Sequence, residues 1–148
     1  MTLPEFSLAD RIAFVTGAGR GLGQAGALAL ARAGAHVALL ARTRSQLEET
    51  AAAVERVGRK TLVAVADIRN AEQIEAAVRA TVEAFGRIDI LFNNAGTNVR
   101  KPVVEMTDED WHTIIDTNVK GIFLVARAVA RQMITQKSGR IINMSSMS

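Results

Sequence analysis

The sequence has no cysteine, no tyrosine and only two prolines among its 148 residues. Without cysteine, this stretch of chain forms no disulfides, zinc–thiolate centres or iron–sulfur clusters and carries no thiol nucleophile. The composition fits a reducing cytoplasm, which is the location that we expect, and no metal site is predicted.

Long apolar runs and a strong charge of one sign are also missing. The longest stretch without a charged residue, 21–31, is far shorter than the roughly 20 apolar residues that span a bilayer. Residues 1–5 lack the basic and apolar regions of an export signal. The net charge is only +3, and no basic run is interleaved with aromatic residues. We therefore expect neither a membrane nor a nucleic acid as a partner.

Short apolar runs alternate along the chain with longer stretches of helical period. The runs predict strands over 12–16, 36–41, 61–65, 88–92 and 140–144. The longer stretches predict helices over 21–33, 43–57, 70–85 and, in two parts, 107–136. Their predicted capping pairs are Thr43 with Gln46, Asn70 with Gln73, and Thr107 with Asp110. Strands joined by such helices need crossover connections, so the sequence predicts an α/β fold with a parallel sheet covered on both faces.

A glycine-rich turn, residues 16–23, joins the first predicted strand to the first predicted helix. Its glycines allow a tight turn and a close approach of the backbone to a ligand. The N–H groups and the positive dipole end of the helix suit a pyrophosphate. A glycine-rich turn without a ligand is the alternative. The Gly-Lys-Ser/Thr sequence of a phosphate loop is absent.

Several further motifs follow this turn in a fixed order. The series is Thr16-Gly-x-x-x-Gly21-x-Gly23, Asp67, Asn93-Asn94-Ala95-Gly96, Asn118 and Asn143-Met144-Ser145-Ser146. This combination resembles the short-chain dehydrogenase/reductase family from about residue 8 to the last residue. The resemblance implies a Rossmann-type doubly wound sheet of strand order 3-2-1-4-5, truncated after strand five. It also implies hydride transfer between NAD(P)(H) and a secondary alcohol or ketone.

The resemblance implies which residues contact the cofactor. They are Gly17, Gly19, Arg20, Gly21, Leu22, Gly23, Arg42, Asp67, Ile68, Asn94, Ala95 and Gly96. NAD-dependent members typically end strand two with an acid, whereas this sequence has Ala41 followed by Arg42. A guanidinium binds a 2′-phosphate that a carboxylate repels, so Arg42 and Arg20, with Arg44 as a third candidate, favour NADP(H) over NAD(H). The alternative is that these are ordinary surface arginines.

Two further contacts are implied on the adenine side and at the central strand. Asp67 is expected to accept a hydrogen bond from the adenine amino group beside the Ile68 backbone. The segment 93–96 is expected to hold the end of the central strand. The alternative in both cases is a polar turn without a ligand.

The catalytic set implied by the resemblance is incomplete. Asn118 matches the asparagine that holds a water, and Ser146, rather than Ser145, matches the serine that orients the carbonyl. The family's proton-donating tyrosine and its lysine are expected shortly after Ser146, but the sequence contains no tyrosine. We therefore expect residues 1–148 to be an incomplete NADP-binding domain that is inactive alone. A non-catalytic nucleotide-binding fragment is the alternative.

The substrate and the assembly are less strongly encoded. The loop 96–102 resembles that of sugar-acid members such as gluconate 5-dehydrogenases, whereas the early motifs are shared with 3-oxoacyl-carrier-protein reductases. Its basic pair, Arg100 and Lys101, either meets a substrate carboxylate or is simply solvated.

The long helix 118–136 is apolar on more than one face. The predicted core stripe is Val119, Ile122, Phe123, Ala126, Val129, Ala130 and Met133, and the predicted second face is Gly121, Leu124, Val125 and Ala128. The resemblance implies a homo-oligomer formed through this helix, and a merely alanine-rich helix is the alternative.

Overall fold

The five predicted strands form one parallel sheet in the order β3-β2-β1-β4-β5. The computed structural model describes residues 6–146; residues 1–5, to which the export-signal prediction applies, lie outside this range, as do 147 and 148. The strands are β1 (Ile12–Thr16), β2 (His36–Ala41), β3 (Thr61–Val65), β4 (Ile90–Asn93) and β5 (Arg140–Asn143). The order confirms the predicted doubly wound topology.

Helices lie between the strands on both faces of this sheet. They are α1 (Gly21–Arg32), α2 (Arg44–Arg56), α3 (Ala71–Phe85), α4 (Asp108–Ile115) and α5 (Ile122–Thr135). A 3₁₀ turn (Val103–Glu105) precedes α4, and a π-helical segment (Asp116–Gly121) joins α4 to α5. No helix in residues 6–146 combines the length and apolar character needed to cross a membrane.

Two of the three predicted caps form. The Asn70 side chain accepts a hydrogen bond from the Gln73 backbone, and Thr107 and Asp110 form a complete capping box. Thr43 is the N-cap residue of α2 as predicted, but its predicted capping box with Gln46 is wrong, because its side chain makes no capping hydrogen bond. Its expected partner, Gln46, instead lies against Gly19 of the glycine turn. Packing between α2 and the turn therefore overrides the local capping signal.

The hydrophobic core lies in two layers, one on each face of the sheet. All five residues of β1 are buried, as its non-alternating apolar sequence predicts. Phe14 faces the layer formed with α3 and α5, whereas Ala13 and Val15 face the layer formed with α1 and α2. The central strand is thus covered on both sides, and its carboxyl end opens between the two helical layers.

The fourth strand begins two residues later than predicted. Ile88 is fully buried, but its N–H donates to Oε1 of Gln136 at 3.3 Å and its carbonyl accepts from Nε2 of Gln136 at 2.5 Å. A side chain therefore satisfies the backbone groups that a neighbouring strand would otherwise pair. The fifth strand likewise ends at Asn143, one residue before the predicted limit.

The predicted core face of the long helix is also partly wrong. The buried residues are Gly121, Val125, Ala128, Val129 and Met133, while Val119 and Phe123 are 58% and 56% exposed. Several faces are apolar, so periodicity alone fitted more than one orientation. The orientation is fixed at Gly121, where an added Cβ would lie 2.7 Å from Cδ1 of Ile68.

A buried aspartate with two half-exposed arginine partners closes the amino end of the sheet, opposite the glycine turn. Asp89, only 5% exposed, accepts a hydrogen bond from the Ile12 backbone at 2.9 Å. Its other carboxylate oxygen pairs with Arg11 at 3.2 Å and with Arg87 at 2.7 Å. One carboxylate therefore ties the start of β1 to the residues that precede β4.

Replacing this carboxylate should destabilise the fold. We expect Asp89→Asn to lower the free energy of unfolding by about 2 kcal/mol, because it removes charge-assisted bonds and leaves two arginines without a counter-charge. Urea denaturation followed by circular dichroism measures the change. The control is Glu48→Gln, whose exposed carboxylate lies 3.7 Å from Arg44 and whose loss should cost less than about 0.5 kcal/mol. Equal losses would contradict the structural role of Asp89.

Candidate functional site

A cleft of about 460 Å³ opens at the carboxyl ends of the strands. Parallel α/β sheets bind their ligands at this edge, where the direction of winding reverses. Of the predicted cofactor residues, those lining the cleft are Gly17, Gly19, Arg20, Gly21, Arg42, Asp67, Ile68, Asn94, Ala95 and Gly96. The predicted residues that do not line it are Leu22, Gly23, Asn118 and Ser146.

The glycine turn brings backbone against backbone. Gly17 and Gly21 have φ angles of +65° and +57°, which glycine adopts without strain. A Cβ on Gly23 would overlap the carbonyl oxygen of Gly17 and lie 2.6 Å from Nδ2 of Asn94. Gly23 thus acts by letting α1 pack on the turn, whereas Leu22 is 68% exposed beside the cleft wall.

Helix α1 presents its amino end at this turn. Gly21, the first residue of α1, lines the cleft, and the preceding residue, Arg20, makes no side-chain capping bond. The first turn also contains no acidic residue. The N–H groups and the positive end of the helix dipole therefore remain suited to an anion.

A buried threonine from α2 fixes the turn from behind. The Thr50 hydroxyl lies 2.9 Å from the carbonyl of Ala18 and 3.1 Å from that of Gln46. It also accepts a hydrogen bond from Nε2 of Gln24 at 3.1 Å. These bonds join α1, α2 and the glycine turn. Sequence reasoning missed Thr50, because it bonds to residues far away along the chain.

Hydrogen bonds tie the carboxyl ends of the central strands together. The Thr16 hydroxyl accepts from the backbone N–H groups of Asn94 and Ala95, both at 3.0 Å, and donates to Oδ1 of Asn93 at 3.4 Å. The amide nitrogen of Asn93 donates to the Ile122 carbonyl at 3.0 Å and to Oδ1 of Asn143 at 3.2 Å. The network connects β1, β4, β5 and the start of α5.

Three arginines and one aspartate give the cleft wall a net positive charge. The side chains of Arg20 and Arg42 have no hydrogen bond or ion pair with any other residue of the described chain, 6–146. Arg44, the third sequence candidate, lies outside the wall and pairs with Glu48 at 3.7 Å. The wall therefore offers two guanidinium groups to an anionic ligand.

The aspartate of the wall is already paired. Nη2 of Arg69 lies 2.6 Å from Oδ2 of Asp67, and Nε lies 3.1 Å from both carboxylate oxygens. The Arg69 side-chain hydrogen bond lowers the pKa of Asp67 below its usual value, although partial burial acts in the opposite direction. Sequence reasoning missed Arg69. The available signal was an aspartate followed two residues later by an arginine in a strand-to-helix turn.

Asn118 bonds to a residue of the cleft wall, whereas Ser146 is not among the residues that line the cleft. Oδ1 of Asn118 accepts from the Thr97 N–H at 2.8 Å, and Nδ2 donates to the Thr97 carbonyl at 2.7 Å. Because Thr97 lines the cleft, Asn118 braces the wall from the π-helical segment. Ser146 is exposed, three residues beyond the end of β5. Further lining residues that sequence reasoning missed include Thr113 and Thr117.

No group of three or more His, Asp or Glu residues in the described part of the chain is arranged to hold a metal ion. The polar groups that line the cleft include backbone amides, threonine and asparagine side chains, three guanidinium groups and the paired carboxylate of Asp67. Such a wall is suited to a phosphorylated ligand.

A family model described as short chain dehydrogenase matches residues 11–148. The chain is 39% identical to a 3-oxoacyl-[acyl-carrier-protein] reductase of Synechocystis sp., over 95% of this chain and 57% of that protein. It is 41% identical to a gluconate 5-dehydrogenase of Gluconobacter oxydans, over 99% of this chain and 57% of that protein.

A crystal structure of NAD⁺-bound xylitol dehydrogenase superposes with a TM-score of 0.91 and 41% identity. The match covers 94% of this chain and 54% of that one. The chain therefore spans little more than half the length of these relatives.

The close approach at Gly23 can be tested by adding one methyl group. We expect Gly23→Ala to lower the free energy of unfolding by about 2 kcal/mol and to weaken binding of an anionic ligand, because α1 must move away from the turn. Chemical denaturation and titration with inorganic pyrophosphate measure the two effects. The control is Gly58→Ala. Gly58 also has a positive φ angle, +78°, but nothing lies within 4 Å of an added Cβ, so this variant should still bind pyrophosphate. Equal binding by the two variants would show that the Gly23 contact is dispensable for the site.

Proposed function

The chain belongs to the short chain dehydrogenase family, and we propose that residues 1–148 form the NADP(H)-binding part of an oxidoreductase that acts on a secondary alcohol or ketone. The observation that carries this proposal is the cleft itself. A helix end without a side-chain cap, a glycine turn and two arginines that have no ion pair within residues 6–146 face one space at the carboxyl edge of the sheet.

The residues of the cleft fit a dinucleotide. A pyrophosphate would lie against the glycine turn and the start of α1, where the glycines leave room for it and the N–H groups of the first helical turn would bind it. The adenine would lie between Asp67 and the Ile68 backbone, and the nicotinamide side would face Asn94, Ala95 and Gly96. In this arrangement Leu22 and Gly23 contribute through the backbone of the first helical turn.

The phosphate preference follows from charge. Arg42 directly follows β2, the position next to the ribose of a dinucleotide, and Ala41 replaces the acid that an NAD site uses. Arg20 lies across the same cleft wall. A 2′-phosphate would neutralise these guanidinium groups, whereas NAD(H) carries an uncharged hydroxyl at that position of the ribose. NAD(H) is the alternative, and one related structure is described as NAD⁺-bound.

The bound nicotinamide would supply or accept the hydride. We propose that Ser146 orients the substrate oxygen and that Asn118 contributes through the Thr97 segment that it braces and through a water. The family's tyrosine proton donor has no counterpart in this sequence, so residues 1–148 would bind the nucleotide without completing the reaction. A non-catalytic nucleotide-binding module is the second candidate function.

The substrate class is a small carbonyl compound or alcohol, and a sugar acid is the preferred case. Lys101 is held by Asp110 at 2.7 Å, so its charge is engaged by the cap of α4. Arg100 is exposed on the same loop and remains the better candidate for a substrate carboxylate. A 3-oxoacyl-carrier-protein substrate is the alternative. The cytoplasm remains the proposed location.

The reaction is tested with any longer polypeptide that carries this sequence. Oxidation of NADPH in the presence of sugar-acid ketones, simple ketones and 3-oxoacyl thioesters would identify the substrate class. A folded, NADPH-binding polypeptide that reduces none of them would favour the non-catalytic module. Turnover of a ketone by residues 1–148 alone would contradict the proposed lack of a proton donor.

An oligomer is proposed through the uncovered face of α5. Phe123 is 56% exposed on this face, with the Arg127 guanidinium 5.1 Å from its ring centroid, and Val119 extends the apolar surface toward the π-helical segment. A second copy of the chain would bury these side chains.

The cofactor preference is tested at Arg42. We expect Arg42→Asp to weaken NADPH binding by roughly tenfold or more, because a charge-assisted bond is worth about 1.5–3 kcal/mol, and to leave NADH binding nearly unchanged. Calorimetric titration measures both affinities. The matched control is Arg44→Asp, two residues away and outside the cleft wall, which should have little effect on either ligand. An unchanged NADPH affinity in Arg42→Asp would refute the proposed preference.

The oligomer is tested at Phe123. If copies meet through α5, Phe123→Glu should shift the molecular mass measured by light scattering toward that of the monomer, because a carboxylate would be buried in the interface. The control is Val57→Glu, which places the same charge at an exposed apolar residue beyond α2. A wild-type chain that is monomeric at all concentrations would contradict oligomerisation by these residues.

A further inference from the structure

The wall of the proposed nucleotide site contains a carboxylate close to its phosphate-binding arginines. Asp67 follows β3 and Arg42 follows β2, and these two strands are neighbours in the sheet. Both side chains line the same cleft. The Arg69 side-chain hydrogen bond is the main cause of the lowered pKa of Asp67, and the positive charge of Arg42 contributes as well, so Arg42 and Asp67 interact electrostatically within the wall.

Arg69 engages this carboxylate with three contacts of 2.6–3.1 Å. Its backbone N–H adds a fourth bond, to Oδ1 of Asp67 at 2.9 Å. The Asp67 backbone is held in turn by Oε1 of Gln73 at 2.8 Å, which fixes the turn that places the pair. Asp116, in the π-helical segment, is a second acid whose charge acts on Arg69.

Without Arg69, the carboxylate of Asp67 would have two effects on an approaching phosphate. It would repel the phosphate directly, and it would attract Arg42 into an ion pair across the cleft. With Arg69 in place, the carboxylate is neutralised on its own turn. The side chain of Arg42 then has no ion-pair partner within residues 6–146.

We infer that Arg69 is a specificity-determining residue of this site: by pairing with Asp67, it keeps Arg42 available to the 2′-phosphate of NADP(H). The inference rests on the proposed function. Arg69 acts through Asp67 and Arg42 and needs no contact with the nucleotide. Its effect should therefore be specific to the ligand that carries the additional phosphate.

The experiment compares NADPH and NADH binding to Arg69→Gln by calorimetric titration. We expect NADPH affinity to fall by roughly fivefold or more, and NADH affinity to change by less than about twofold. The matched control is Arg131→Gln. Arg131 lies on α5, away from the cleft, and forms an exposed ion pair of 3.0 Å with Glu75 of α3, which this change breaks. This control should leave both affinities unchanged. Circular dichroism melting of each variant verifies that it is folded.

A second variant separates charge from structure. In an Asp67→Asn background the carboxylate is absent, so adding Arg69→Gln should no longer change the ratio of NADPH to NADH affinity. A ratio that still falls in this background would overturn the inference, because Arg69 would then contact the phosphate itself. Equal losses for NADPH and NADH in the single variant would also overturn it, since Arg69 would then only support the adenine wall.

The failure of this inference is distinguishable from that of the proposed function. If the unmodified chain binds NADPH, and Arg42→Asp weakens that binding, the proposed cofactor site stands. An unchanged NADPH affinity in Arg69→Gln then refutes the role of Arg69 alone. If the folded chain binds no NADPH, the proposed function fails and the role of Arg69 fails with it.

Discussion

The contact on which the site depends is the close approach of Gly23 to the Gly17 carbonyl. No side chain larger than hydrogen fits between α1 and the turn at this point. The contact sets the position of the first helical turn relative to β1, and thus the direction in which its N–H groups point. Thr50 supports the same geometry from α2, and Asn94 packs against both glycines from the loop after β4. The cleft is therefore built from packed backbone before any ligand contributes.

The carboxyl edge of the sheet is rigid for a related reason. Thr16 and Asn93 satisfy backbone and side-chain groups from three strands, so the turn after β1 and the loop after β4 are positioned together. Asn118 extends this arrangement by holding both backbone groups of Thr97. Backbone groups at the ends of parallel strands have no partner within the sheet. Here they bond to side chains, and these bonds position the wall of the cleft.

Charge is distributed unevenly between the two ends of the sheet. At the amino end, Asp89 pairs with two arginines in a structural cluster that does not line the cleft at the carboxyl edge. At the carboxyl end, Asp67 is neutralised by an arginine of its own turn, and the remaining cations of the wall have no carboxylate partner in the described residues. The same residue types thus stabilise the fold at one end and prepare an anion site at the other.

The sequence by itself determined the strands, their parallel direction and the glycine turn, because these depend on local apolar periodicity, on the helical connections and on glycine at fixed positions. The order of the strands in the sheet was what the family resemblance implied. The caps at Asn70 and Thr107 were equally local. Only the tertiary structure decided which face of α5 is buried, since an apolar helix fits several orientations until a contact such as that of Gly121 with Ile68 selects one. It also decided which arginines remain available, because an ion pair depends on the distance between side chains in space, which composition and spacing do not specify.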